Sequence, residues 1–234
     1  MQHLSRLSPA IRYTPPRKRM GEASRDQDVS RSEERQEPSG ENSGGELPIE
    51  IILARHGRPD LQYPERLTPR QMKDWIKPYN QADIIVGEIP SATLNKASES
   101  GVIVSSTLRR CVQSAEKLAR NRAFAAEEVF CEADLPLPEW HFPRLPVGVW
   151  GVLFRLAWFC GFFVNAEPLA QATARARNAA ERLIELAREN GSVFLVGHGV
   201  MNLLIAGQIS ALGWCGPMRP AGRYWQFSVY HAPS

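Results

Sequence analysis

The chain switches between two hydrophobic rhythms from residue 49 onward. Glu50-Ile51-Ile52-Leu53-Ala54 is a short continuous apolar run and predicts a buried strand. Val102-Ile103-Val104-Ser105 predicts a second, and Val129-Phe130-Cys131 a weaker third. Ser192-Val193-Phe194-Leu195-Val196-Gly197 is the clearest of the set. Tyr224 to Tyr230 alternates apolar with polar and reads as a less buried strand. Helical stretches lie between these runs. Thr68 to Ala82 opens on Thr-Pro, an N-cap and first-turn pair. Thr107 to Arg120 follows the second strand, and Leu169 to Asn190 ends at Gly191. Val200 to Leu212 follows the fourth. Alternation of this kind predicts an α/β fold: a three-layer sandwich whose mostly parallel central sheet carries helices on both faces.

Composition sets the tail apart. The first 20 residues carry Arg6, Arg12, Arg17, Lys18 and Arg19 and no acid, whereas residues 21–48 hold three Arg against eight Asp or Glu. Few large apolar side chains occur before residue 48, so residues 1–48 read as a disordered tail ahead of a catalytic domain at 49–234. The run Arg17-Lys18-Arg19 reads as a solvated tail rather than a contact for nucleic acid or anionic lipid. A formal net charge of +3 over 234 residues argues against a nucleic-acid binder. The N-terminus lacks the apolar region of a signal peptide. The four cysteines form no C-x-x-C pair, so they read as buried thiols in a reducing, cytoplasmic setting without a zinc site.

Residues 147–164 are apolar apart from Arg155. A spanning helix needs about 20 apolar residues, and a central Arg is costly there. No integral span is expected. The segment reads as a buried helix pair or an apolar lid, with weak peripheral membrane contact as the remaining reading.

Two of the five His occupy matching places, each after an apolar strand and beside Gly: Arg55-His56-Gly57 and Gly197-His198-Gly199. In a parallel sheet, residues just past the carboxyl ends of the strands converge on one crevice. The second strand delivers Arg110 to the same edge. The helix starting near Val200 offers N–H groups and a positive dipole end. Two His and two Arg, the latter with planar bidentate donors, suit a phosphoryl group. Arg109 is turned about 100° from Arg110 on a helix and reads as solvated or structural.

These motifs, together with Ser106-x-Leu108-x-Arg110-x-x-Gln113-Ser114-Ala115 between them, resemble the histidine phosphatase superfamily, also called phosphoglycerate mutase-like. The resemblance spans roughly residues 49–231. It implies a phosphoglycerate mutase-like fold and a phosphomonoester hydrolase that uses neither metal nor organic cofactor. It implies His56 as the nucleophile that becomes phosphohistidine, with Arg55, Arg110 and His198 holding the phosphoryl group. The general acid falls to Glu132, ahead of Glu139 and then Asp134. Arg58, Asn202 and Glu139 are candidate substrate contacts, as are Arg223 and Tyr224. Glu139 matches a second, non-catalytic Glu of many members.

Pro136 departs from the family pattern, where Gly is usual. So do the residues after Leu67-Thr68 and the stretch 142–164, all on the substrate side. The short core favours a phosphatase over a mutase. Substrates of either kind remain open, a phosphorylated small molecule or a phosphoprotein. The competing reading is a catalytically weak phosphate-binding or regulatory module. Oligomeric state is left open.

Overall fold

The computed structural model describes residues 10–14, 48–85 and 87–233. In chain order the elements are β1 (Ile11–Tyr13), β2 (Glu50–Arg55), α1 (Pro69–Gln81), α2 (Ser91–Glu99), β3 (Val102–Ser106), α3 (Arg109–Ala119) and β4 (Phe124–Glu127). After a single 3-10 turn at Glu128–Phe130 come α4 (Val147–Phe159), α5 (Leu169–Asn190), β5 (Ser192–Gly197), α6 (Gly199–Ala211) and β6 (Phe227–His231).

The six strands form one sheet in the order β1-β4-β3-β5-β2-β6. The inner four run parallel, and the two edge strands β1 and β6 pair antiparallel. Side chains alternate across a strand, so β2 feeds both faces. Ile51 and Leu53 pack with α5 and α6, while Ile52 and Ala54 pack with Cys111, Ala115 and Leu118 of α3. Burial on both sides is why β2 and β5 are apolar throughout rather than alternating.

The long predicted helices are present with boundaries shifted by at most two residues, and the strand expected from Tyr224 starts three residues later, at Phe227. Thr68 caps α1: its hydroxyl accepts from the Gln71 N–H, and the Gln71 side chain accepts from the Thr68 N–H.

Four readings need correction. Residues 129–131 are not a strand. They belong to the 3-10 turn, and Phe130 is apolar because it is buried beneath α5. The strand at that place is β4, whose Phe-Ala-Ala-Glu lacks the β-branched residues that mark strands. Ile11–Tyr13, inside the expected tail, pairs with β4, and Tyr13 stacks on Phe124 at 4.8 Å. Most of the remaining 1–48, including Arg17-Lys18-Arg19, lies outside the described residues. Of the four thiols, Cys111 is buried and Cys131 partly so, but Cys160 and Cys215 are exposed, in the turns after α4 and α6.

Residues 147–164 form neither a buried helix pair nor a spanning helix. They make one helix, α4, and a turn. Val147, Trp150 and Phe154 pack with Met72 and Leu137 in a small core of their own against α1. Among the described residues no helix is long and apolar enough to cross a membrane.

Candidate active site

Parallel strands β2, β3 and β5 bring Arg55-His56, Ser106 and His198 to one edge of the sheet. α3 begins three residues after β3, which places Arg110 in its first turn, beside both His. The two imidazoles lie with ring centroids 5.1 Å apart. Each is almost wholly buried.

Hydrogen bonds assign the tautomers. His56 Nδ1 donates to the Gly57 carbonyl at 2.7 Å, which leaves the Nε2 lone pair to accept from Arg110 Nε at 3.3 Å. His198 Nδ1 accepts from Arg110 Nη2 at 3.4 Å, and its Nε2–H donates to Ser106 Oγ at 2.9 Å. Arg110 also donates to Asn80 Oδ1 at 3.2 Å and stacks over the Tyr79 ring at 4.7 Å. Arg55 lies over the Tyr224 ring at 4.4 Å and donates to the Gly222 carbonyl. Its Nε is buried without a protein partner. Such an orphan donor has a cost that an anionic oxygen would offset.

Close approach of the backbone explains Gly57. A Cβ there would sit 2.3 Å from a Trp225 ring carbon. The Gly57 N–H donates to Ser114 Oγ at 2.9 Å, which ties the Arg-His-Gly turn to α3. This is the local reason that Ser114 belongs with the motif.

Burial and the neighbouring guanidiniums keep both imidazoles neutral. His56 is lowered to about 3, by burial first, then by Arg110 and Arg55. His198 is lowered by burial, by His56 and by Arg110. Unfolded His titrates near 6.5. Between that value and about 3 the unfolded chain therefore binds more protons, and stability rises with pH. Above about 6.5 the contribution is fully present, and it is lost on acidification, by at most about 1.4 kcal/mol per pH unit for each group. Urea unfolding is expected to shift to lower midpoints from pH 7 to pH 4.5. His198→Asn should flatten that dependence; an unchanged slope would show that His198 does not set it.

A cavity of about 410 Å³ opens beside Arg110, which donates to both His, although neither imidazole is among the residues that line it. Arg55, Arg110, Glu132 and Tyr224 line it at the polar end, and Tyr63, Trp75, Tyr79 and Val147 make an apolar wall. Glu132 is thus brought to the site. Its carboxylate accepts from Met201 N–H at 2.8 Å and Val200 N–H at 3.2 Å, in the first turn of α6. That corrects the expectation for this helix: these N–H groups hold a protein carboxylate instead of facing an incoming anion. Asp134 also lines the cavity, with its carboxyl raised by burial and by nearby Glu167.

Other candidates lie elsewhere. Glu139 is exposed and paired with Lys73 at 2.6 Å, away from the cavity lining. Asn202 is buried behind the site. It donates to the Ala54 carbonyl at 3.1 Å and packs so tightly on Gly197 that a Cβ there would lie 2.3 Å from its Oδ1. It braces two strands and does not line the cavity. Arg58 is exposed, outside the lining, as is Arg223. Arg109 pairs with Asp83 on the outer side of α3. Tyr224 is the one secondary candidate that does line the cavity.

Sequence reasoning missed two arginines that hold the Glu132 loop. Arg155 donates to the Ala133 carbonyl at 2.9 Å and the Asp134 carbonyl at 3.1 Å. Arg175 donates to the Cys131 carbonyl at 2.6 Å and pairs with Glu167. A single charge at the centre of an apolar segment was the available signal for Arg155.

The profile described as histidine phosphatase superfamily (branch 1) matches residues 91–228, more than half of the chain. The chain belongs to the histidine phosphatase superfamily. The match takes in Arg110, Glu132 and His198, and it starts after the Arg55-His56-Gly57 turn. No curated protein matches the chain. Among solved structures, the product of an open reading frame of Mycobacterium tuberculosis is similar at 15% identity, over 79% of this chain and 95% of that one, with a TM-score of 0.48. A mycobacterial glucosyl-3-phosphoglycerate phosphatase is 22% identical over 70% of this chain and 79% of its own, with a TM-score of 0.44. A phosphoglycerate mutase from Bacillus anthracis is 13% identical over 70% and 81%, with a TM-score of 0.46. Among the described residues of this histidine phosphatase superfamily member, no group of three or more His, Cys, Asp or Glu could hold a metal ion.

Proposed function

We propose that the chain hydrolyses phosphomonoesters through a phosphohistidine on His56, with residues 49–234 as its catalytic domain. The observation that carries this reading is the neutral His56, whose Nδ1–H is fixed on the Gly57 carbonyl and whose Nε2 lone pair lies beside Arg110. Nε2 attacks phosphorus, an N–P bond forms, and the ester P–O bond breaks. Arg55, Arg110 and His198 take the charge on the phosphoryl oxygens. The leaving alkoxide receives a proton from Glu132. Water then attacks the phosphohistidine while the Glu132 carboxylate accepts its proton. The N–P bond breaks, and phosphate leaves with His56 restored. No step calls for a metal ion.

A small substrate suits the cavity's volume of about 410 Å³ and its aromatic wall better than a folded phosphoprotein does. The test is release of p-nitrophenol from p-nitrophenyl phosphate in the presence of EDTA. Activity that survives chelation supports the reading. A folded, phosphate-binding chain with no activity would favour the phosphate-binding module, and loss of activity with EDTA would sink the mechanism. Arg110→Lys keeps the charge but loses the planar fork, and is expected to lower kcat/KM by about 10²-fold. Unaltered kcat/KM would remove Arg110 from the phosphoryl pocket.

A further inference from the structure

α4 presents three faces. Val147, Trp150, Phe154 and Trp158 are buried. Gly148, Gly151 and Arg155 line the cavity. The third face is Val149, Val152, Leu153, Leu156 and Phe159, at the i, i+3, i+4, i+7 spacing of a second apolar stripe, and it is exposed. Val152 is 60% and Leu156 59% accessible. Phe163 and Val164 extend the stripe past the end of the helix. Trp140 and Phe142 join it, since Trp140 lies 6.3 Å from Phe162 and Leu137 N–H donates to the Val164 carbonyl. Phe142 is 80% exposed. A row of exposed large apolar side chains of this kind marks a docking site.

Its surroundings select the partner. From Val147 to Val164 there is no acid. Arg70, exposed at the start of α1, donates from its guanidinium to His141 Nε2 at 3.4 Å and so borders Trp140 and Phe142. Arg144 is exposed in the same strip. Among the described residues neither arginine has an acid within ion-pair distance, while Lys73 and Lys77 are matched by Glu139 and Asp74. Glu139 also feels the charge of Arg70, and the rim still carries Arg70, Lys73, Lys77 and Arg144 against Asp74 and Glu139, an excess of positive charge. An anionic bilayer offers the opposite charge, and Trp and Phe are the residues that settle at a membrane–water boundary.

We propose that the α4 stripe, with Trp140 and Phe142, seats the protein on an anionic membrane surface, with the cavity wall formed by the same helix held next to that surface. The proposal stands apart from the hydrolytic reading, because docking is measured without turnover. The full chain is sedimented with vesicles of phosphatidylcholine alone and of phosphatidylcholine with about one-third phosphatidylglycerol, beside the double variant Val152→Glu/Leu156→Glu. Both substituted side chains are exposed and off the cavity, so thermal unfolding of the variant should match the parent. The parent is expected to sediment with the anionic vesicles and to be released by raised salt. The variant should bind at least about tenfold less, as expected for removing two large apolar side chains from the boundary. Parent protein left in the supernatant with anionic vesicles would overturn the proposal, and so would equal sedimentation of parent and variant. A parent dimer that the variant converts to monomer, with neither sedimenting, would assign the stripe to self-association instead.

Discussion

His56→Ala is expected to lower kcat for p-nitrophenyl phosphate by about 10⁴-fold or more, with the fold intact. The size follows from the role proposed for Nε2: without it no N–P bond can form, and the two-step route closes. The remaining donors of Arg55 and Arg110 would still bind phosphate, so inhibition by inorganic phosphate should persist within about tenfold. Rapid quenching under alkaline conditions should trap an acid-labile phosphoryl group on the parent and none on the variant. A variant that keeps a tenth of parental turnover would place the nucleophile elsewhere. The low His56 value adds a second check. An imidazole lowered to about 3 is already neutral at mildly acidic pH. The acid limb of kcat/KM should therefore not follow an ordinary His near 6.5.

Glu132→Gln should split substrates by leaving group. A p-nitrophenolate departs without help, whereas an alkoxide needs a proton. The variant is expected to lose about 10³-fold on an alkyl phosphate and less than about tenfold on p-nitrophenyl phosphate. Equal losses on both would make Glu132 a brace for α6 and not an acid, since its carboxylate also accepts the Val200 and Met201 N–H groups. Asp134→Asn is the natural companion. It shares the cavity, and burial raises its carboxyl. A leaving-group split in that variant and not in Glu132→Gln would move the acid to Asp134. Glu139 lies off the cavity lining, exposed and paired with Lys73.

Arg155 links the Glu132 loop to α4. Its guanidinium holds the Ala133 and Asp134 carbonyls, while its neighbours on α4 face outward. Burial lowers this guanidinium, while Glu132, Asp134 and Glu167 oppose that. A charge placed in an apolar segment thus has a use on the cavity side, although the sequence pattern alone suggested only a cost.

What was legible in the linear chain is what depends on short-range pattern. β2 and β5 are continuous apolar runs because both faces of an inner parallel strand are covered, so periodicity alone located them. The same rule placed Arg55-His56 and His198 at one edge, since strand ends in a parallel sheet converge, and Arg110 followed from the first turn of α3. Long-range pairing decided the rest. β1 gains its strand from β4, a partner more than 100 residues away, and nothing within Ile-Arg-Tyr announces it. Asn202 looked free to meet a substrate, yet it lies behind Gly197 because helix and strand pack closely there. α4 is apolar on every side in sequence. Packing of Val147, Trp150 and Phe154 against α1, and of Trp158 against Ala133 and Ala172, decided which stripe is core, which faces the cavity and which is left exposed. Periodicity records that a side chain avoids water; the tertiary contacts decide what covers it.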